Sequence, residues 1–119
     1  MTDKDIEQKI QAAGLTAPRI TPELIESVIS GEYYFTAEQG AMANIDVNAR
    51  QPRSASLGCL TICVLVLKNK FTVTGESACA SPENFNEQIG REIARKNAVE
   101  KIWLLEGYLL KQKLSEGTE

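Results

Sequence analysis

The chain has 119 residues, enough for one domain with a real core, and its hydrophobic content of 43% is ordinary for a globular protein. A formal net charge of −3 speaks against general nucleic-acid binding, which wants a basic surface, but leaves room for a small anion held by a few arginines. The complete lack of histidine excludes histidine-based catalysis and disfavours a zinc site. No apolar run reaches the ~18 residues of a membrane span, and the acidic start MTDKDIEQ is not a signal peptide, so a cytosolic protein is expected.

Thr2 with Asp5 has the form of a capping box, Ile6, Ile10 and Ala13 share a face, and Gly14 is a stop, which together describe a short first helix. After a linker over Leu15–Ile20, Thr21-Pro22-Glu23 opens a second helix that carries Leu24, Ile25, Val28 and Ile29 and ends near Gly31. Glu32–Thr36 reads as a strand from its aromatic and β-branched content. Ala37–Ser56 has no firm period and reads as a long loop. Residues 1–15 and 37–56 are the candidate mobile parts of a single domain spanning 1–119.

Gly58–Leu67 is the strongest strand. Leu60, Ile62, Val64 and Val66 point one way and Cys59, Thr61, Cys63, Leu65 and Leu67 the other, so burial on both faces is expected. Lys68-Asn69-Lys70 is a turn, with Asn69 as the residue that tolerates positive φ. Phe71–Ser77 returns as the hairpin partner, with Phe71, Val73 and Gly75 on one face and Thr72, Thr74 and Glu76 on the polar one. One face of the Gly58–Leu67 strand then needs cover from a helix or another subunit.

Ser81–Leu114 reads as one long helix. Its start is either Ser81, with Pro82 in the first turn, or Asn86, which would leave Ser81–Phe85 as a separate turn. Phe85, Ile89 and Ile93 line one side of the first half. Ala98, Ile102, Leu105 and Leu109 line a second side further on, and Val99, Trp103 and Leu110 a third. Around Ile102–Leu110 the apolar character goes all the way round, with Glu106 the one charge, which fits either a central core helix or a contact with a second copy. Gly107 either ends the regular helix or admits a neighbouring backbone, and the apolar run beyond it favours the latter. Glu87 with Arg91 and Glu92 with Lys96 are i,i+4 pairs in the favourable order. Arg91 and Arg95 lie a turn apart, as an anion clamp or as a solvated, paired face.

Chemistry is sparse. There is no GxxxxGK[ST], GxGxxG or HExxH, and no nucleophile–histidine pair, so an enzyme is not expected and no cofactor or metal is implied. Cys59, Cys63 and Cys79 make an odd count without a secretion signal; Cys59 and Cys63 fall about 13 Å apart on a strand, so buried structural thiols are expected. Cys79 precedes a helix start, where a thiol pKa can fall. The richest constellation is Glu76–Asn86. There a strand end meets a helix start, with Ser77, Asn84 and Asn86 as hydrogen-bonding groups and Phe85 as a ring for stacking. It reads either as an anion site completed by Arg91 and Arg95, or as a capping turn with Phe85 stapled into the core.

ITPELIESVI (Ile20–Ile29) and KFTVTGESACASPENFNEQIGREIARKNAVEKIWLLEGYLL (Lys70–Leu110) resemble a widespread family of small tailed-phage proteins, the phage gp forty-nine/sixty-six family. Asn69-Lys70 departs from the Asn-Gly expected in that turn. The resemblance implies a phage protein acting in the bacterial cytoplasm. The layout also resembles phage anti-Thoeris sponge proteins, which bind cyclic ADP-ribose signals in pockets of a symmetric oligomer and do not degrade them; none of those pocket residues is matched to a position here.

The expected fold is therefore α+β: short N-terminal helices and a small antiparallel sheet packed against a long C-terminal helix. The expected ligand is a small phosphorylated nucleotide of the cyclic ADP-ribose type, bound by a homo-oligomer through Ser77, Asn84, Phe85, Asn86, Arg91 and Arg95. The alternative is an interaction protein that docks on a host or phage protein through its acidic surface.

Overall fold

The structure, a computed structural model, describes residues 2–15, 17–43 and 55–117. Helices α1 (Asp3–Ala12) and α2 (Pro22–Ser27) lead into strand β1 (Ile29–Thr36), followed by the short helices α3 (Ala37–Ala43) and α4 (Ala55–Gly58). The hairpin β2 (Leu60–Leu67) and β3 (Thr72–Ala78) then runs through a 3₁₀ turn at Pro82–Asn84 into α5 (Glu87–Glu116). The sheet is antiparallel in the order β1-β2-β3, and α5 lies across β2 and β3. This is the expected α+β architecture.

Local chemistry accounts for most boundaries. The Thr2–Asp5 capping box forms and Gly14 takes φ 72° just past the end of α1. The Thr21 hydroxyl accepts from the Leu24 N–H at the start of α2. That helix stops earlier than expected, at Ser27. Lys68 N–H donates to Val28 O (2.9 Å), and Ile29, read above as helical, already pairs with Leu67. Ala37–Ala43, read above as loop, is helical; Thr36 opens it by accepting from Gln39 N–H while the Gln39 side chain accepts from Thr36 N–H. Of the rest of that stretch, 44–54 lie outside the described residues, and Ala55 and Ser56, also read as loop, open α4. Of the two starts for the long helix, Asn86 is the real one, its Oδ1 accepting from Ile89 N–H, and Ser81 makes no side-chain cap.

The face of β2 that carries Thr61, Cys63, Leu65 and Leu67 is fully buried, whereas Leu60, Ile62, Val64 and Val66 on the other face are only half-buried. Burial on both faces is thus not reached within one chain. The reason is that α5 packs on one face alone: it covers the first face with Gly90, Ala94, Ala98 and Ile102, rotated so that Ile89 and Ile93 stay 55% and 45% exposed. The small side chains let the helix backbone sit directly on the sheet. A Cβ on Gly75 would lie 2.2 Å from Ala94 O and 2.3 Å from Ala98 N. Gly107 does not end α5, and among the described residues nothing lies within 4 Å of where its Cβ would be. Beyond Ile102 the apolar segment emerges into solvent, with Leu104 77% and Tyr108 75% exposed.

In the β2–β3 turn the residue with positive φ is Lys70 (77°), not Asn69, whose Oδ1 instead accepts from Phe71 N–H (2.9 Å). Position 70 is where the family turn was expected to hold glycine, and the backbone there still adopts the conformation that favours it.

Two outcomes follow for stability. Gly75→Ala pushes backbone against backbone and is expected to cost about 3 kcal/mol or more in denaturant unfolding, the upper end of overpacking. Lys70→Gly removes a left-handed conformation costing about 1–2 kcal/mol and adds back about 0.4–1 kcal/mol of unfolded-state entropy, so its melting temperature should rise.

Candidate functional site

The start of α5, the beginning of β2 and α3 enclose a cleft of about 260 Å³. Its walls are Phe35, Thr36, Glu38 and Gln39 from the β1–α3 corner, Gly58 and Thr61 from the β2 side, and Phe85, Glu87 and Arg91 from the helix start. Thr61 is 3% exposed, its Oγ1 has no hydrogen-bond partner among the described residues, and it sits 2.8 Å from where a Cβ on Gly90 would be. Glycine at 90 therefore makes room for that hydroxyl under the helix.

Of the six residues singled out from the sequence, Phe85 and Arg91 line this cleft together. The Arg91 guanidinium lies 5.5 Å from the centre of the Tyr34 ring and pairs with Glu87 at 2.7 Å. Asn86 is adjacent, with its Oδ1 occupied by the cap on Ile89 N–H. Ser77 sits in register with Thr61 on β3, half-buried. Asn84 is exposed in the 3₁₀ turn, its N–H donating to Ser81 O.

Arg95 is set apart from Arg91. Its guanidinium is held by Glu26 (Nη2–Oε1, 2.8 Å) and Glu32 (Nη2–Oε1, 2.7 Å; Nε–Oε1, 2.9 Å), so it ties α5 to α2 and β1. The two carboxylates raise the Arg95 pKa, and the bond from Arg95 lowers that of Glu32. The Tyr34 hydroxyl donates to Glu32 (3.2 Å), and burial above all pushes its pKa up to about 12. The expected clamp of two arginines is thus divided: one guanidinium lines the cleft, and the other is saturated by its own carboxylates.

The cleft groups missed by sequence reading are Thr36, Glu38, Gln39, Gly58, Thr61, Phe35 and Glu87. The first three sit at the start of a helix read as loop. Thr61 carried a visible signal, as the one hydroxyl in the apolar run from Leu60 to Leu67.

A family model described as phage protein (N4 Gp49/phage Sf6 gene 66) matches residues 20–114. The chain belongs to this family. Comparison with curated proteins and with solved structures gives no match. The family segment takes in the whole described cleft and the Arg95 network, and leaves out α1. That first helix is attached by Glu7, which is buried and bonded through both oxygens by Arg19 and through Oε2 by Gln11 (2.7 Å). The bond from Arg19 is the main cause holding the Glu7 pKa down to about 2. No helix among the described residues is long and apolar enough to cross a membrane.

The division of the arginines has a measurable consequence. Arg95→Ala leaves Glu26 and Glu32 facing each other without their cation and is expected to cost about 1 kcal/mol in urea unfolding, the scale of a partly exposed ion-pair network. Arg91→Ala, which breaks one exposed helix pair and one ring contact, should cost half of that or less.

Proposed function

We propose that this phage-family protein is a binder of a small phosphorylated, adenine-containing immune signal of the cyclic ADP-ribose type, which it sequesters in the host cytoplasm without turning it over. The observation that carries the reading is the cleft that sets the Phe85 ring and the Arg91 guanidinium beside the polar groups of Thr36, Glu38 and Gln39. An aromatic face takes a base by stacking, a carboxylate accepts from ribose hydroxyls, and an arginine pairs with a phosphate. Glu87 competes for Arg91, but an exposed i,i+4 pair is worth only about 0.3–0.5 kcal/mol, so a phosphate displaces it readily.

The cleft holds part of such a ligand. Its volume falls below the roughly 300–1,000 Å³ of sites that enclose a small molecule, and it offers two carboxylates against one guanidinium. The remaining positive charge has to come from a neighbouring copy, and the surface of one chain favours a neighbour. Leu104, Tyr108 and Leu109 are exposed on α5, and one apolar face of the sheet is left half-covered. The radius of gyration is 18.7 Å, against roughly 13–14 Å for a compact chain of this length. A homo-oligomer with the Ile102–Leu110 segment at its contact fits these features. With no histidine in the chain, holding the signal rather than cleaving it is the chemistry at hand.

Calorimetry with cyclic ADP-ribose isomers and cyclic di- and trinucleotides, alongside light scattering, tests the reading. Binding by an assembly larger than one chain is expected. Arg91→Ala should weaken it about tenfold or more, the loss of one charge-assisted bond, and Phe85→Ala comparably through lost stacking. If no nucleotide binds tighter than millimolar, the sponge reading fails and docking of the acidic surface on a host or phage protein takes its place. Tight binding that both variants retain would keep the ligand class and move the site elsewhere.

A further inference from the structure

We propose that Cys59 and Cys79 close a reversible intramolecular disulfide across the open end of the β2–β3 ladder. The ladder pairs Leu60 with Ala78 and Thr61 with Ser77, so one step further sets Cys59 opposite Cys79. The backbone confirms that step: Cys79 N–H donates to Cys59 O at 3.1 Å. Counting in twos from Leu67 and Phe71, where Leu67 N–H donates to Phe71 O at 2.8 Å, the pair 59/79 falls in the hydrogen-bonded class. Such pairs hold their Cα atoms about 5.5 Å apart, inside the roughly 4.4–6.8 Å range of disulfides. Alternation puts both side chains on the face that carries Thr61 and Cys63.

Cross-strand Cβ atoms of a hydrogen-bonded pair lie at the far end of about 4.5–5.5 Å, and a disulfide wants about 3.8 Å and accepts up to about 4.5 Å, so the strand ends must close by roughly 1–2 Å. They are free to do so. Cys59 N–H donates to Ser56 O (3.2 Å) and not back to Cys79, so no second rung holds the pair at its present spacing. Both thiols are now free. Cys79 is the half-exposed one, its thiol donating to Ser81 O (3.0 Å), and Cys59 is buried beside it.

The chemistry is thiol–disulfide exchange with a low-molecular-weight disulfide. The Cys79 thiolate attacks one sulfur of the small disulfide; that S–S bond breaks, and the first small thiolate leaves and takes up a proton. Cys59, deprotonated, then attacks the Cys79 sulfur of the mixed disulfide and releases the second small thiol. Two protein thiols are oxidised and one small disulfide is reduced to two thiols; excess small thiol reverses it. Cys63 takes no part, because it is completely buried and faces Gly75 across the ladder. The bridge would tie Gly58, on one wall of the cleft, to the turn that leads to Phe85 on the other. The inference holds whatever the cleft binds.

The test uses the full chain equilibrated with oxidised and reduced glutathione, acid-quenched, alkylated, digested and weighed. The expected product has lost two hydrogens, contains a linked Cys59–Cys79 peptide, and leaves only Cys63 alkylated. Cys59→Ser should instead stop at a glutathione adduct on Cys79. Glutathione adducts on the wild-type chain without the linked peptide, or a linkage that includes Cys63, would overturn the proposal. So would the same preference for the 59/79 pairing in the urea-unfolded chain, because the fold would then not be what brings the thiols together.

Discussion

The backbone of α5 occupies the space that any side chain at position 75 would need. That one contact fixes the helix against the sheet in distance, position and rotation together. Distance follows because Gly75, Ala94 and Ala98 leave nothing between strand and helix. Position follows in one direction, because a one-turn slide that set Ile102 over Gly75 would bring a larger side chain into the contact. Rotation follows because only the Gly90, Ala94, Ala98 stripe is small enough to face inward. Once the rotation is set, Arg91 is carried over Tyr34, Arg95 reaches Glu26 and Glu32, and Ile89 and Ile93 turn outward. The cleft and the charge network are consequences of how closely two backbones meet.

This is also where sequence reading stopped short. The element types were legible because each has its own period or cap: the alternation in Leu60–Leu67, the Thr2–Asp5 box, Pro22 after Thr21, and Asn86 before Glu87. Which side of the long helix faces the sheet was not legible from hydrophobicity. Ile89 and Ile93 outrank Gly90 and Ala94 on any transfer scale, yet steric fit decides a contact this close, and the decisive residue, Gly75, lies on another element. The α3 helix was hidden for a related reason. Its seven residues hold three alanines, a glycine and a methionine on no clear stripe, and its start depends on a reciprocal Thr36–Gln39 bond that only the folded backbone reveals. Two of the nine residues lining the candidate site were therefore visible, Phe85 and Arg91 at the helix start, but not the α3 wall opposite them.

Spacing along one chain misled in two further places. Arg91 and Arg95, one turn apart, suggest a fork, but the α5 side chains splay around the sheet edge and meet different partners. Arg95 meets two carboxylates whose oxygens engage all three of its guanidinium nitrogens. The cysteines give the converse. Cys59 and Cys63 are near in sequence and cannot meet, whereas Cys59 and Cys79 are twenty positions apart and face each other. Hairpin register sums to a constant, so the second relation was available once Leu67 and Phe71 were known to flank the turn.

The charges at the cleft bear on both of the proposed readings. A surface meant to dock a protein through acidic groups gains from carboxylates that are free to face outward. Here the two carboxylates that carry the most structure, Glu26 and Glu32, are spent on Arg95, and Glu7 is spent on Arg19. The cleft itself holds one guanidinium, the carboxylates of Glu38 and Glu87, two aromatic rings and several neutral hydrogen-bonding groups, at the start of a 30-residue helix whose dipole favours negative charge there. That set suits the nucleoside end of a phosphorylated ligand and falls short on its phosphates. A single chain that both under-supplies positive charge and leaves apolar helix and sheet surface uncovered has two deficits of different kinds. One symmetric association of copies would relieve both, which is why ligand binding and assembly belong in the same proposal.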